Sequence, residues 1–167
     1  MGGHPGRRTL RPYPVRQLLP RKFKVAFTGT DADNAITGIH DLGFIPRIQD
    51  GVKGFEVVVG GGLSIMARNA PVLAPFVSTD EYLRLSEAVV RIFEKADELR
   101  KNRSKARLKF LVHRVGIEEF RRMVDEELKG DWANKDLRPD RLLYIHDEEK
   151  NAPPRKPLYQ QPNGDMA

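Results

Sequence analysis

The hydrophobic period of this chain changes once, near Ser78, and that change restricts the folds open to it. Up to Val59 the apolar residues fall in strand-like segments, alternating with polar ones at 22–27 and forming a strongly β-prone run at Val57–Val59. From Tyr82 onward they recur at spacings of three and four, as on amphipathic helices. Strands first and helices afterwards indicate an α+β layer: a mainly antiparallel sheet covered by about three helices, in place of a parallel βαβ array.

Phe23, Val25 and Phe27 alternate with Lys22, Lys24 and Ala26, which predicts a first strand over about 20–28 with its aromatic face inward. "TDADNAITGIHDLG" carries loop chemistry and reads as mostly irregular. "GFIPRIQDGVKGFEVVVGGG" predicts two strands around the Asp50-Gly51 turn, and Pro46 places its strand at a sheet edge. Residues 63–77, with two prolines, read as a loop. Ser78 and Glu81 form a capping-box pattern that opens a helix running to about residue 100, with Tyr82, Leu85, Val89, Ile92, Phe93, Ala96 and Leu99 as its stripe. Helices over about 104–115 and 117–129 follow, stopped by Gly116 and Gly130. Residues 1–18 read as a flexible basic arm, 19–130 as one domain, and 131–167 as an irregular, disordered tail.

Lys and Arg total 29 against 23 Asp and Glu, a net charge of +6 that favours anionic partners. A run of about 18 apolar residues and a signal-peptide pattern are both missing, so a cytoplasmic protein without membrane contact is expected. The chain has no cysteine, which excludes disulfides, a cysteine nucleophile and any thiolate-held metal or iron–sulfur cluster on its own residues. The four histidines are scattered, and no metal held by this chain alone is expected.

Three features concentrate positive charge or bare backbone. Residues i and i+2 on a strand sit roughly 6.5–7 Å apart on one face, so Lys22 and Lys24, beside Arg21, make a compact cationic group suited to an anion or to a solvated strand face. Gly60, Gly61 and Gly62 follow a buried strand, where bare backbone either approaches a ligand closely or makes a plain turn; a nucleotide-binding glycine pattern is not present. "RKNRSKARLKF" gathers Arg100, Lys101, Arg103, Lys105, Arg107 and Lys109, as on a solvated helix face or a phosphate-binding patch.

Taken together, "LPRKFK", "IHDLGFIP", "GFEVVVGGGLS" and "RKNRSKARLKFLVHRVGIEEFRRMV" resemble the siroheme-dependent nitrite and sulfite reductases, over about Leu19 to Leu128. The resemblance is to the first of two catalytic half-domains. It implies that Lys22 and Lys24 bind sulfite or nitrite and deliver protons, that Arg21 holds carboxylates of siroheme, and that Gly60, Gly61 and Gly62 let backbone pass close to the macrocycle. It further implies a 4Fe-4S cluster whose cysteine ligands lie in a second half-domain, ferredoxin-like domains, and an electron donor such as ferredoxin or a flavoprotein. Two lysines in the first block lean toward sulfite. Lacking those cysteines, the chain resembles one piece of a reductase that does not turn over by itself. The competing expectation is a small basic nucleic-acid-binding protein without redox activity.

Overall fold

The computed structural model describes residues 18–30 and 32–135. Four strands, β1 (Val25–Phe27), β2 (Leu42–Gln49), β3 (Val52–Val59) and β4 (Val72–Ser78), form one sheet in the order β1-β2-β3-β4. β1 runs parallel to β2, and the other two pairings are antiparallel. Asp50 and Gly51 both have positive φ, 50° and 78°, the twist that a two-residue hairpin turn requires. Four helices follow: α1 (Tyr82–Lys95), α2 (Asp97–Arg100), α3 (Leu108–Val115) and α4 (Ile117–Glu127). The α+β layer read from the periodicity is the observed architecture.

One face of the sheet makes the core. Leu42, Phe44, Val57 and Val59 share that face through the β2–β3 register and are completely buried. Helical Phe93, Leu108 and Phe120 are equally inaccessible. Phe27 stacks on Phe44 at 4.5 Å between ring centroids, and Tyr82 meets Phe44 edge-on at 5.9 Å, so an aromatic cluster ties the start of α1 to the sheet. On β4, an edge strand, Arg121 of α4 donates to the Leu73 and Val72 carbonyls at 2.9 and 2.6 Å. That use of a charged side chain blunts an otherwise exposed strand edge.

Several sequence expectations are corrected. The segment 63–77 contains all of β4 but its last residue, because tertiary pairing with β3 overrides Pro71 and Pro75. The first strand is three residues long: its partner β2 begins at Leu42, and backbone pairing has no ladder to follow before that point. Val25 and Phe27 remain about half exposed, since β1 is an edge strand. Pro46 lies on a strand that is interior at Leu42–Phe44 and becomes an edge only past the reach of β1. Ser78 ends β4, and its hydroxyl donates to the Glu81 carboxylate at 2.8 Å in place of capping backbone N–H groups. The first helix breaks at Ala96 (ψ 71°), and residues 103–105 form a separate 3-10 turn ahead of α3. Asp131–Asn134, read as the start of a tail, form a 3-10 turn whose Trp132 is buried beneath the Arg91 guanidinium, 4.6 Å from the ring centroid. Residues 136–167 of that tail and 1–17 of the arm lie outside the described residues.

Phe44 touches Phe27, Phe55 and Tyr82 with no exposure, so Phe44→Ala removes the centre of the cluster. The expected cost is about 3–5 kcal/mol, read as a lower urea midpoint with an unchanged denaturant slope.

Candidate anion-binding site

The segment preceding β1 presents the two lysines. Lys22 and Lys24 are both exposed, and Phe23 between them is half-buried, its ring 5.9 Å from that of Phe93. The regular strand starts one residue after Lys24. What continues the pairing at Lys24 is a side chain: its N–H donates to Asp41 Oδ2 at 2.8 Å, while its carbonyl accepts from the Leu42 N–H at 3.2 Å.

Asp41 joins all three of the sequence features. Its carboxylate has no exposure and receives a two-point clamp from Arg107, Nε to Oδ1 at 3.1 Å and Nη2 to Oδ2 at 2.6 Å. Its carbonyl accepts from the Gly60 N–H at 2.9 Å. The lysine segment, the glycine turn and the basic helical region therefore meet on one buried ion pair. A planar guanidinium suits that geometry, since it satisfies both carboxylate oxygens at once. Sequence reasoning passed over Asp41 as a neighbour of His40. Its signal was position, immediately before a strand on the inward side of a loop.

Gly60, Gly61 and Gly62 are buried, and the bare backbone there serves the protein's own packing. A Cβ on Gly61 would lie 2.0 Å from the Gly38 carbonyl oxygen, and one on Gly60, where φ is +79°, would lie 2.9 Å from Val112. The close approach that these glycines permit is to the 38–40 turn and to α3.

Lys109 was read as part of an exposed patch and is instead 3% exposed. Its ammonium donates to the carbonyls of Leu63, Ile65 and Met66 at 2.9, 2.8 and 3.1 Å. This internal cation organises a loop in which Ser64 and Met66 adopt positive φ, and from which Leu63, Ile65 and Met66 project outward half-exposed. Burial, with the neighbouring Arg107 guanidinium, pushes the Lys109 ammonium below the ordinary lysine range, against the pull of the Asp41 carboxylate.

The basic run is thus divided. Arg107 and Lys109 turn inward, Arg100 pairs with Asp97 at 3.1 Å, and the remainder stays exposed. Arg107 and Lys109 are thereby withdrawn from any cationic face that the run could offer to nucleic acid. Instead Arg100 and Arg103 line a cavity of about 740 Å³ with Leu19, Pro20, Arg21, Lys22 and Ala106, and Arg21 donates to the Arg103 carbonyl at 2.8 Å. Arg21 and Lys22 therefore share a concavity; Lys24 stands beside it in sequence without lining it. His40 Nδ1 lies 3.1 Å from the Ile36 carbonyl oxygen, and among the described residues no cluster of three or more His, Asp or Glu could hold a metal. Nor, among them, is any helix long and apolar enough to cross a membrane.

Replacing Lys109 with Met keeps length and removes the donor. Limited proteolysis of Lys109→Met should cut between residues 63 and 67 at least about tenfold faster, because several carbonyls lose a partner worth roughly 1–3 kcal/mol each when buried. An unchanged cleavage rate would mean that the Gly62–Arg68 backbone pair alone holds the loop.

A family model described as the nitrite and sulphite reductase 4Fe-4S domain matches residues 6–131. The ferredoxin–nitrite reductase of Synechococcus elongatus is 42% identical over 111 residues, covering 65% of this chain and 21% of that protein. The sulfite reductase [NADPH] hemoprotein beta-component of Chromohalobacter salexigens is 33% identical over 127 residues, covering 71% and 22%. The structure of the Mycobacterium tuberculosis NirA protein superposes with a TM-score of 0.63 at 34% identity, covering 73% of this chain and 22% of that one. Dissimilatory sulfite reductase I shares the fold at 13% identity, with a TM-score of 0.52. The chain spans about a fifth of the length of the curated relatives that it matches, and nitrite and sulfite enzymes both stand among them. With its sheet, its helices and most of its length matched in this way, the chain belongs to the nitrite and sulphite reductase 4Fe-4S domain family.

Proposed function

We propose that this chain supplies the anion-binding wall of a siroheme-dependent reductase of sulfite or nitrite, with Lys22 and Lys24 meeting the substrate oxyanion and Arg21 meeting carboxylates of the cofactor. The observation that carries the reading is the convergence of Arg21, Lys22, Arg100 and Arg103 on one cavity, beside a lysine whose backbone is anchored to a buried ion pair. Four cations around a concavity fit a ligand bearing several carboxylates, and the guanidinium groups among them favour paired oxygens. When bound, siroheme would supply the iron at which the oxyanion is reduced.

The residues of this chain would then act in three ways. The ammonium groups of Lys22 and Lys24 attract the anion and stabilise negative charge as it grows, an effect strengthened where water is excluded. They also carry protons that departing oxygen atoms require, in the manner of general acids. Arg21 and its neighbours orient the cofactor through its acidic rim. Gly60, Gly61 and Gly62 enter as support for the wall, through the close packing that they allow against the 38–40 turn.

The chain's donor set does not fit a 4Fe-4S cluster, since there is no cysteine among its 167 residues. No step is assigned to a cluster on these residues. The proposal places its thiolate ligands in a second half-domain, together with ferredoxin-like domains and an electron donor such as ferredoxin or a flavoprotein, in the cytoplasm. The half-domain, read as 19–130 from the sequence, takes in the Trp132 turn as well.

Lys22→Ala in an assembly reconstituted with siroheme and a cluster-bearing half tests the reading. Turnover of sulfite or nitrite should fall about 10²-fold or more, the loss typical of removing one such electrostatic group, while stability stays within about 0.5 kcal/mol, as for an exposed side chain. Parallel loss of melting temperature and activity, or no siroheme absorption band in the wild-type assembly, would defeat it.

A further inference from the structure

We propose that Asp41 is a positioning residue: clamped by Arg107, its carboxylate fixes the Lys24 end of the lysine pair. The inference rests on the anion-binding reading of Lys22 and Lys24 and goes beyond it, because Asp41 touches neither anion nor cofactor. The carboxylate is wholly enclosed, so it meets no ligand directly and positions other groups through those bonded to it. Those groups are the Arg107 guanidinium and the Lys24 N–H.

The geometry explains why a carboxylate is used. β1 pairs with β2 over only Val25–Leu42, Ala26–Gly43 and Phe27–Phe44, which leaves its lysine end at the last rung of a short parallel ladder. A short ladder frays at its ends unless the terminal N–H finds a partner. Asp41 Oδ2 lies 2.8 Å from that N–H, and an ionised acceptor makes a stronger bond than a carbonyl would. Asp41 is itself held on both sides, through its side chain by Arg107 and through its carbonyl by the Gly60 N–H. The anchor is therefore referenced to the end of β3 and the start of α3 and not only to the loop that carries it.

The same clamp determines which cations remain for a ligand. Both oxygens of Asp41 are engaged by Arg107, so this guanidinium is neutralised locally and withdrawn from the anion site. Lys24 keeps its ammonium exposed while its backbone is held. Backbone fixation with a free charged head is the arrangement that presents a cation with less ordering cost on binding.

The test uses the full 167-residue chain, labelled with ¹⁵N, with sodium sulfite as the probe. Asp41→Ala combined with Arg107→Met removes both buried charges together, avoiding a stranded guanidinium. Amide exchange at Lys24 is compared with that at Thr28, whose N–H donates to the Phe44 carbonyl at the other end of β1. Exchange at Lys24 should accelerate at least about tenfold more than at Thr28, and sulfite should bind about tenfold more weakly with little change in melting temperature, as loss of one charge-assisted bond implies. Equal acceleration at both amides, or none, overturns the proposal. So does unchanged sulfite affinity in the double variant where Lys24→Ala weakens binding. If the double variant fails to fold, Asp41→Asn combined with Arg107→Met, whose amide oxygen is a weaker acceptor than the carboxylate, must still show faster exchange at Lys24 than at Thr28, and its absence there is equally fatal. Sulfite affinity indifferent to both Lys22→Ala and Lys24→Ala overturns the anion reading instead and removes the functional half of this proposal, and the exchange comparison then decides whether Asp41 holds the segment at all.

Discussion

The buried pair between Asp41 and Arg107 is the interaction on which the rest of the site depends. It joins residues 66 positions apart in sequence, across the face where the helical layer returns to the sheet. Removing one partner from such a pair typically costs about 3–5 kcal/mol, because the charge left behind has no water to replace its counterion. A pair of this kind contributes less to net stability than apolar packing of the same volume would, so its value here is register. It ties the segment before β1, the start of β2 and the glycine turn after β3 to one point.

Around that point the chain sorts its cations into two groups. Arg107 and Lys109 are taken inside, Arg107 with its Nε and Nη2 on a carboxylate and Lys109 with its ammonium on carbonyls. Arg21, Lys22, Lys24 and Arg103 keep their charge near water. The inner pair builds the shape: Arg107 fixes the lysine segment through Asp41, and Lys109 holds a loop with two residues at positive φ. On the proposed reading, the outer group is the one that meets the anion. Residues two apart in one basic run, Arg107 and Lys109, thus do structural work while their neighbours Arg100 and Arg103 line a cavity.

How much of this was legible in the sequence follows from which signals are local. The hairpin at Asp50-Gly51 and the three long helical stripes were readable, because period and turn chemistry are short-range properties. β4 was not, since Pro71 just before it and Pro75 within it argue against a strand and only pairing with β3 overcomes them. Lys22 and Lys24 are both exposed, as a half-buried strand implies, but their strand was drawn too long, because the acceptor at Lys24 is a side chain from another segment. The burial of Lys109 had no local mark at all. A lysine at the solvated side of a helix and a lysine capped by distant carbonyls have the same letter and similar neighbours.

The glycine turn shows how a motif can be recognised for one reason and retained for another. Triple glycine after a buried strand invites a ligand, and yet a Cβ at Gly61 would enter the Gly38 carbonyl and one at Gly62 would approach the Lys109 stem at 3.1 Å. The turn must therefore be bare for the 38–40 segment to lie where Asp41 can reach Arg107. On this account the glycines and the lysines belong to one device: close backbone packing sets the position of a carboxylate, the carboxylate sets the position of a strand end, and the strand end carries the charge. A substitution in the turn would then be felt at Lys24 before it was felt by any ligand of the turn itself, since the path from one to the other runs through two hydrogen bonds of 2.9 and 2.8 Å.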